Sequence, residues 1–134
     1  WAEGKLAKVG WVMVDEETLV HLLYPNIISP GDCAGIPTRK TSAAIRKQLP
    51  IAEANLLEIM QGKEPSHKYN GYACCPIVTD YGHVLLCEFD YDKRPDITFP
   101  FSIQDMSQER RTAWMLKRYF LKPMYFHAML KGYM

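Results

Sequence analysis

The run VGWVMV at residues 9–14 is apolar at nearly every position and too short for a helix, so it predicts a strand. DEET after it predicts a turn or the start of a short helix. NIIS at 26–29 lacks polar alternation and predicts a second, buried strand, which Pro30-Gly31 then punctuates. From Thr41 to Gln61 the period becomes helical, with Ala44, Ile45, Ala52, Leu56 and Met60 at near-helical spacing. Pro50 predicts a kink or two shorter helices, and Gly62 a C-cap. YACCPIVT and HVLLCEF around DYG predict a hairpin, with Pro76 placing the first strand at an edge or bulge. DYDKRPDITFPF reads as an extended loop. SQERRTAWMLKRYFLK then reads as a helix with Ser107 as N-cap. Pro123 is expected to end or kink that helix before MYFHAMLKGYM resumes as a second apolar one. No internal repeat or low-complexity tract interrupts the chain.

Composition changes this picture little, and charge changes it more. The 134 residues amount to one ordinary domain or a piece of a larger protein, and the Trp at position 1 suggests a piece. Residues 1–109 hold ten Lys/Arg against fifteen Asp/Glu, while residues 110–134 hold six Lys/Arg and no acid, so a net charge of +1 hides a basic tail. No apolar run approaches the ~20 residues of a spanning helix, and nothing points to nucleic acid. Cys33, Cys74, Cys75 and Cys87 include no CxxC, and no His pair has ligand spacing, so a metal site is not expected. Neighbours on a strand face opposite ways, so Cys74 and Cys75 are not expected to serve one site. His21, His67, His83 and His127 read as structural or solvent-facing.

The stretch YPNIISPGDCAGIPTRKT carries the candidate chemistry. If 26–29 is a central strand and Thr41 opens a helix, Gly31-Asp32 lies at the strand's carboxyl end, where open α/β sheets hold ligands. There Asp32 can accept hydrogen bonds from ligand hydroxyls. The helix amino terminus offers free N–H groups and partial positive charge, and Lys40 adds a full one. The alternative is a loop in which Asp32 only caps a turn.

GWVMVDEETL, YPNIISPGDCAGIPTRKTSAAI, KYNGYACCPIVTDYGHVLLCEFDYD and TFPF, in that order, resemble the C-terminal part of the sulfide:quinone oxidoreductases, and most closely the branch with the mitochondrial enzymes. Those are FAD-dependent flavoproteins of the two-dinucleotide-fold superfamily that oxidise sulfide and reduce a membrane quinone. The resemblance implies an α+β fragment. Residues 1–62 would be the end of an α/β, Rossmann-like FAD-binding domain, and residues 63–134 a β-hairpin followed by amphipathic helices. It implies that Gly31 and Asp32 hold the ribityl chain of FAD, that Lys40 and Thr41 lie beside the flavin's pyrimidine edge, and that Cys75 is the family's second redox cysteine. Cys74 and Pro30 depart from the family's pattern. Phe99, Phe101, Tyr119 and Phe120 become candidates for a quinone pocket, against a competing reading as core aromatics.

The first FAD motif and the other redox cysteine are absent from these residues. The resemblance therefore implies half an FAD site, reliance on an N-terminal remainder of the same protein, and no activity for the segment alone. Two rival readings stand beside it: a type II NADH:quinone oxidoreductase, which would not need the cysteine in GYACCP, and a membrane-docking module without redox chemistry. Projected at 100° per residue, Arg110, Arg111, Lys117, Arg118 and Lys122 share one arc, and Ala113, Met115, Leu116, Tyr119 and Phe120 the opposite one. Residues 107–134 are therefore expected to lie in a membrane interface without spanning it. The expected location is a bacterial cytoplasmic or mitochondrial inner membrane, as a peripheral protein.

Overall fold

The computed structural model describes residues 10–98 and 108–133. Two compact units make up the chain. One runs through Ala73 and takes in Asp90–Lys93; the other comprises Cys74–Phe89 and the chain from Arg94 onward. Together the described residues form an α+β arrangement with one two-stranded sheet.

The first unit is organised by a 19-residue helix, α1, Ser42–Met60. Thr41 caps it, its hydroxyl oxygen accepting from the Ala44 N–H at 3.2 Å, and Gly62 follows its end in the left-handed region at φ 73°. Pro50 does not divide the helix. It removes one backbone donor, but side chains on either side of it, Gln48 and Asn55, are buried and bonded to the rest of the unit. Tertiary packing on both flanks outweighs the local break. Of the apolar residues whose spacing announces α1, Ala44 and Ala52 are buried, whereas Leu56 and Met60 are exposed.

Asn55 is fully buried and uses its whole amide. Its nitrogen donates to the carbonyls of Thr18 and His67, both at 2.9 Å, and its oxygen accepts from the His67 N–H at 3.0 Å. The loops before and after α1 are thereby tied to one side chain.

Among the described residues, the strands expected at 9–14 and 26–29 appear only as single bridges: Val12 to Ala34, Val14 to His21, and Val20 to Ile28. Side-chain-stabilised turns leave no room for longer extension. The Asp15 carboxylate accepts from the N–H groups of Glu17 and Thr18 and from the Thr18 hydroxyl. Buried His21 accepts the N–H groups of Leu23 and Tyr24 on Nδ1 at 3.0 and 3.1 Å. Further on, Gly71 (φ 84°) faces Tyr91 so closely that a Cβ would lie 2.3 Å from the ring, so only glycine fits. Tyr91 also meets Tyr69 edge-on at 5.7 Å and donates to the Glu16 carbonyl at 2.6 Å. Burial pushes its phenol well above the usual tyrosine range.

The hairpin pairs β1, Ala73–Asp80, with β2, His83–Phe89, and from Cys74 onward it belongs to the second unit. A two-residue connection makes the pair antiparallel, as the sequence predicts. Along β2, Val84, Leu86 and Glu88 are buried and alternate with half-buried neighbours. The Glu88 carboxylate accepts from the Thr98 N–H at 2.5 Å. A bridge joins Val84 to Arg110, and helix follows directly: α2, Arg111–Met115; a π-helical turn, Leu116–Phe120; α3, Leu121–His127; then a 3-10 turn, Met129–Lys131. The expected N-cap Ser107 lies outside the described residues, and the structural cap is Arg110. Pro123 does not end the helix. It lacks an N–H and its ring crowds the carbonyl four residues back. The preceding turn is widened, with Leu121 N–H bonding the Leu116 carbonyl five residues back.

Truncating Asn55 to Ala removes the partner of part-buried backbone groups of Thr18 and His67. We expect a loss of about 1–3 kcal/mol, read as a lower midpoint in denaturant unfolding. An unchanged midpoint would show that these loops are held elsewhere.

Candidate functional site

The Gly31–Cys33 segment is a single 3-10 turn, not the end of a regular strand. Two features fix it to α1. The Gly31 N–H donates to the buried Gln48 Oε1 at 2.6 Å, and Gly31, at φ 82°, sits where an added Cβ would reach Ile45 at 3.4 Å. The Gln48 and Thr38 side chains lie beside the hydroxyl of buried Tyr69, which donates to the Tyr72 carbonyl. The turn is thus held from beneath, and Asp32 and Cys33 are left exposed at its tip. The Cys33 thiol donates to the Pro30 carbonyl at 3.3 Å and lies 3.1 Å from the Ser29 hydroxyl.

Lys40 reaches back over this turn. Its ammonium donates to the Ala34 carbonyl and stands 5.1 Å from the centre of the Trp11 ring. Burial holds its pKa below the usual lysine range, while Asp32 and Cys33 act on it in the opposite sense. Thr41 is engaged as the cap of α1, which leaves the first N–H groups of a long helix at the same end. Gly31, Asp32, Lys40 and Thr41 therefore assemble within the first unit. Together they present an exposed carboxylate, a half-buried cation and a helix amino terminus. A concavity of about 380 Å³ in this unit lies elsewhere, lined by Asp15, His21, Ile59 and Lys63 among others.

Cys75 belongs to the second unit, half-buried on β1 next to Pro76. Cys74 precedes it on the strand, so the two thiols face opposite ways, as expected. None of the four cysteines is in a disulfide. Lys117, on the π-helical turn, donates from Nζ to the Pro76 carbonyl at 2.7 Å. This puts a cation one residue from Cys75. On the sequence, Lys117 is only one of the tail's basic side chains. Pairing to Pro76 depends on the fold of the second unit and carries no local signal. Gln48 is also missed by apolar periodicity, although it falls on a line with Ala44, Ala52 and Asn55.

Tyr119 and Phe120 are 60% and 66% exposed, which removes the reading as core aromatics within this chain. Phe99 and Phe101 lie outside the described residues. Among the described residues, no group of three or more His, Cys, Asp or Glu is placed to share a metal ion, and no helix is long and apolar enough to cross a membrane.

No family model matches the chain. Curated proteins do. Sulfide:quinone oxidoreductase, mitochondrial, of Mus musculus is 46% identical over 124 residues, covering 92% of this chain and 27% of that protein. Its namesakes in Dictyostelium discoideum and Schizosaccharomyces pombe are 43% and 40% identical, covering 92% and 98% of this chain and 26% and 29% of theirs. The chain thus spans little more than a quarter of the length of these relatives. A chain in the cryo-EM structure of the Tetrahymena thermophila mitochondrial ATP synthase F1Fo composite tetramer superposes with a TM-score of 0.72 at 23% identity, covering 87% of this chain and 28% of that one. At that identity the likeness is of fold alone.

Proposed function

The chain matches the C-terminal part of the sulfide:quinone oxidoreductases, and from that premise we propose that it supplies half of an FAD site and one redox cysteine to an enzyme that oxidises sulfide and reduces quinone at a mitochondrial membrane. The observation that carries the reading is the 40–46% identity over 92–98% of the chain to proteins of that name. The same match favours it over the NADH:quinone and docking-module alternatives.

The residues of the first unit fit FAD. Exposed Asp32 accepts hydrogen bonds from the ribityl hydroxyls, and its turn cannot retreat because Gln48 holds Gly31. Lys40 and the amino terminus of α1, capped by Thr41, set positive charge beside the electron-rich edge of the ring. FAD held by these residues would supply two-electron redox chemistry between sulfide and quinone. The extended reading of residues 1–62 as the end of a Rossmann-like domain belongs to the same proposal.

In the second unit Cys75 shares a sulfur bridge with a cysteine outside this chain. Hydrosulfide attacks the bridge, one S–S bond forming as another breaks, so one cysteine becomes a persulfide and the other a thiolate. Lys117, held at the neighbouring carbonyl, provides a cation where sulfur carries negative charge. The exposed aromatics Tyr119 and Phe120 adjoin the basic residues Arg118 and Lys122. This combination suits a membrane interface from which quinone enters.

Three outcomes check the reading in the full-length protein. Asp32→Ala should weaken FAD retention by about 1.5–3 kcal/mol, measured as flavin lost on dilution; undiminished flavin would remove Asp32 from the site. Cys75→Ser should abolish sulfide-dependent quinone reduction with flavin still bound, and Cys74→Ser should be mild. If the two thiols exchange these outcomes, the redox role belongs to Cys74. Deleting residues 107–134 should reduce flotation with anionic liposomes, each basic residue contributing about 1 kcal/mol at low salt. Unchanged flotation and quinone reduction would make the tail structural only.

A further inference from the structure

The two faces of α1 are inverted. Its buried face carries two alanines, Ala44 and Ala52, and two amides, Gln48 and Asn55. Its outer face carries the large apolar side chains: Leu49, Leu56, Leu57 and Met60 are 52%, 43%, 51% and 75% exposed. At 100° per residue Leu49, Leu56 and Met60 fall within one narrow arc, with Leu57 at its margin and exposed Glu53 inside it. A helix on the surface of a soluble protein places such residues inward.

Rotation cannot correct the inversion. Turning α1 to bury its leucines would break the three bonds of Asn55 and the bond from Gly31 to Gln48, and would leave those amides and their loop partners unsatisfied. The inner face is committed, so the outer one remains an apolar stripe of several turns with one acid in it. Stripes of this kind mark surfaces that another polypeptide covers.

We propose that this stripe is an intramolecular interface, covered in the intact protein by the polypeptide that the relatives carry beyond the matched region. The chain spans only 26–29% of those relatives, so ample covering chain exists. The stripe runs from Leu49 to Met60, the carboxyl-terminal part of the helix whose amino end holds Lys40 and Thr41. The covering surface is apolar and meets Glu53 with a basic side chain or backbone N–H groups, since a carboxylate enclosed without a partner is costly. This inference rests on the length of the relatives and not on sulfide chemistry, and its test needs no activity.

In the full-length protein, Leu56→Cys and Met60→Cys are made singly and treated with a water-soluble maleimide. Modification of the α1 peptide is followed by mass spectrometry in buffer and in urea. Labelling in buffer should be at least about tenfold slower than in urea, and unchanged on dilution or on adding detergent. Leu56→Ala should lower the thermal unfolding midpoint, whereas on a solvated helix face the same change is close to neutral. Labelling at the urea rate, or an unmoved midpoint with Leu56→Ala, overturns the proposal by leaving the stripe in solvent. Protection lost on dilution overturns it in favour of a second copy, and protection lost in detergent in favour of lipid.

Discussion

Two side-chain amides carry the first unit. Gln48 and Asn55 lie two turns apart on the buried face of α1, and each replaces a backbone partner that a longer sheet would otherwise supply. The loops around them form single bridges in place of regular ladders, so their backbone groups need other partners. Asn55 satisfies three such groups at once. Gln48 satisfies the one that sets the attitude of the Gly31–Cys33 turn, and through it the exposure of Asp32. A polar inner face is therefore not a weakness of the helix. It lets a unit with little regular sheet hold the Gly31–Cys33 loop steady.

How much of this was legible in the sequence follows from the range of each interaction. Signals local to a few residues read correctly: Thr41 and Gly62 at the ends of α1, the two runs around Asp80-Tyr81-Gly82, and the helical period after Arg110. Of the break or kink expected at Pro50 and Pro123, the break is absent, because tertiary packing in one case and a widened turn in the other absorb the missing donor. Apolar runs at 9–14 and 26–29 were overread as strands, since the periodicity is blind to the Asp15 and His21 side chains that fold the backbone between them. Asp32, Lys40 and Thr41 were legible as a cluster because they are close in sequence. Lys117 was not, since its partner Pro76 is 41 residues away.

The proposed roles fall on the two units separately, and each unit suits the role proposed for it. The groups proposed to hold a cofactor are polar, partly exposed and fixed by hydrogen bonds within the first unit. The proposed reactive sulfur sits on a strand of the second, where backbone pairing fixes the direction of each side chain. Holding a ligand tolerates small adjustments through flexible side chains. Sulfur exchange requires one thiol and not its neighbour to face the reaction, and strand alternation imposes that choice between Cys74 and Cys75 at no cost in residues.

The widened turn Leu116–Phe120 gives the tail a tolerance of its own. A π-helical turn accommodates one residue more than an ordinary helical turn. Loss of a single residue between Arg111 and Pro123 can therefore be taken up by tightening this turn, with the flanking helices keeping their length and facing. Elsewhere in a helix the same deletion would swing every later side chain by about 100°. Evolution can thus shorten this stretch by one codon and leave the two ends of the helix in phase.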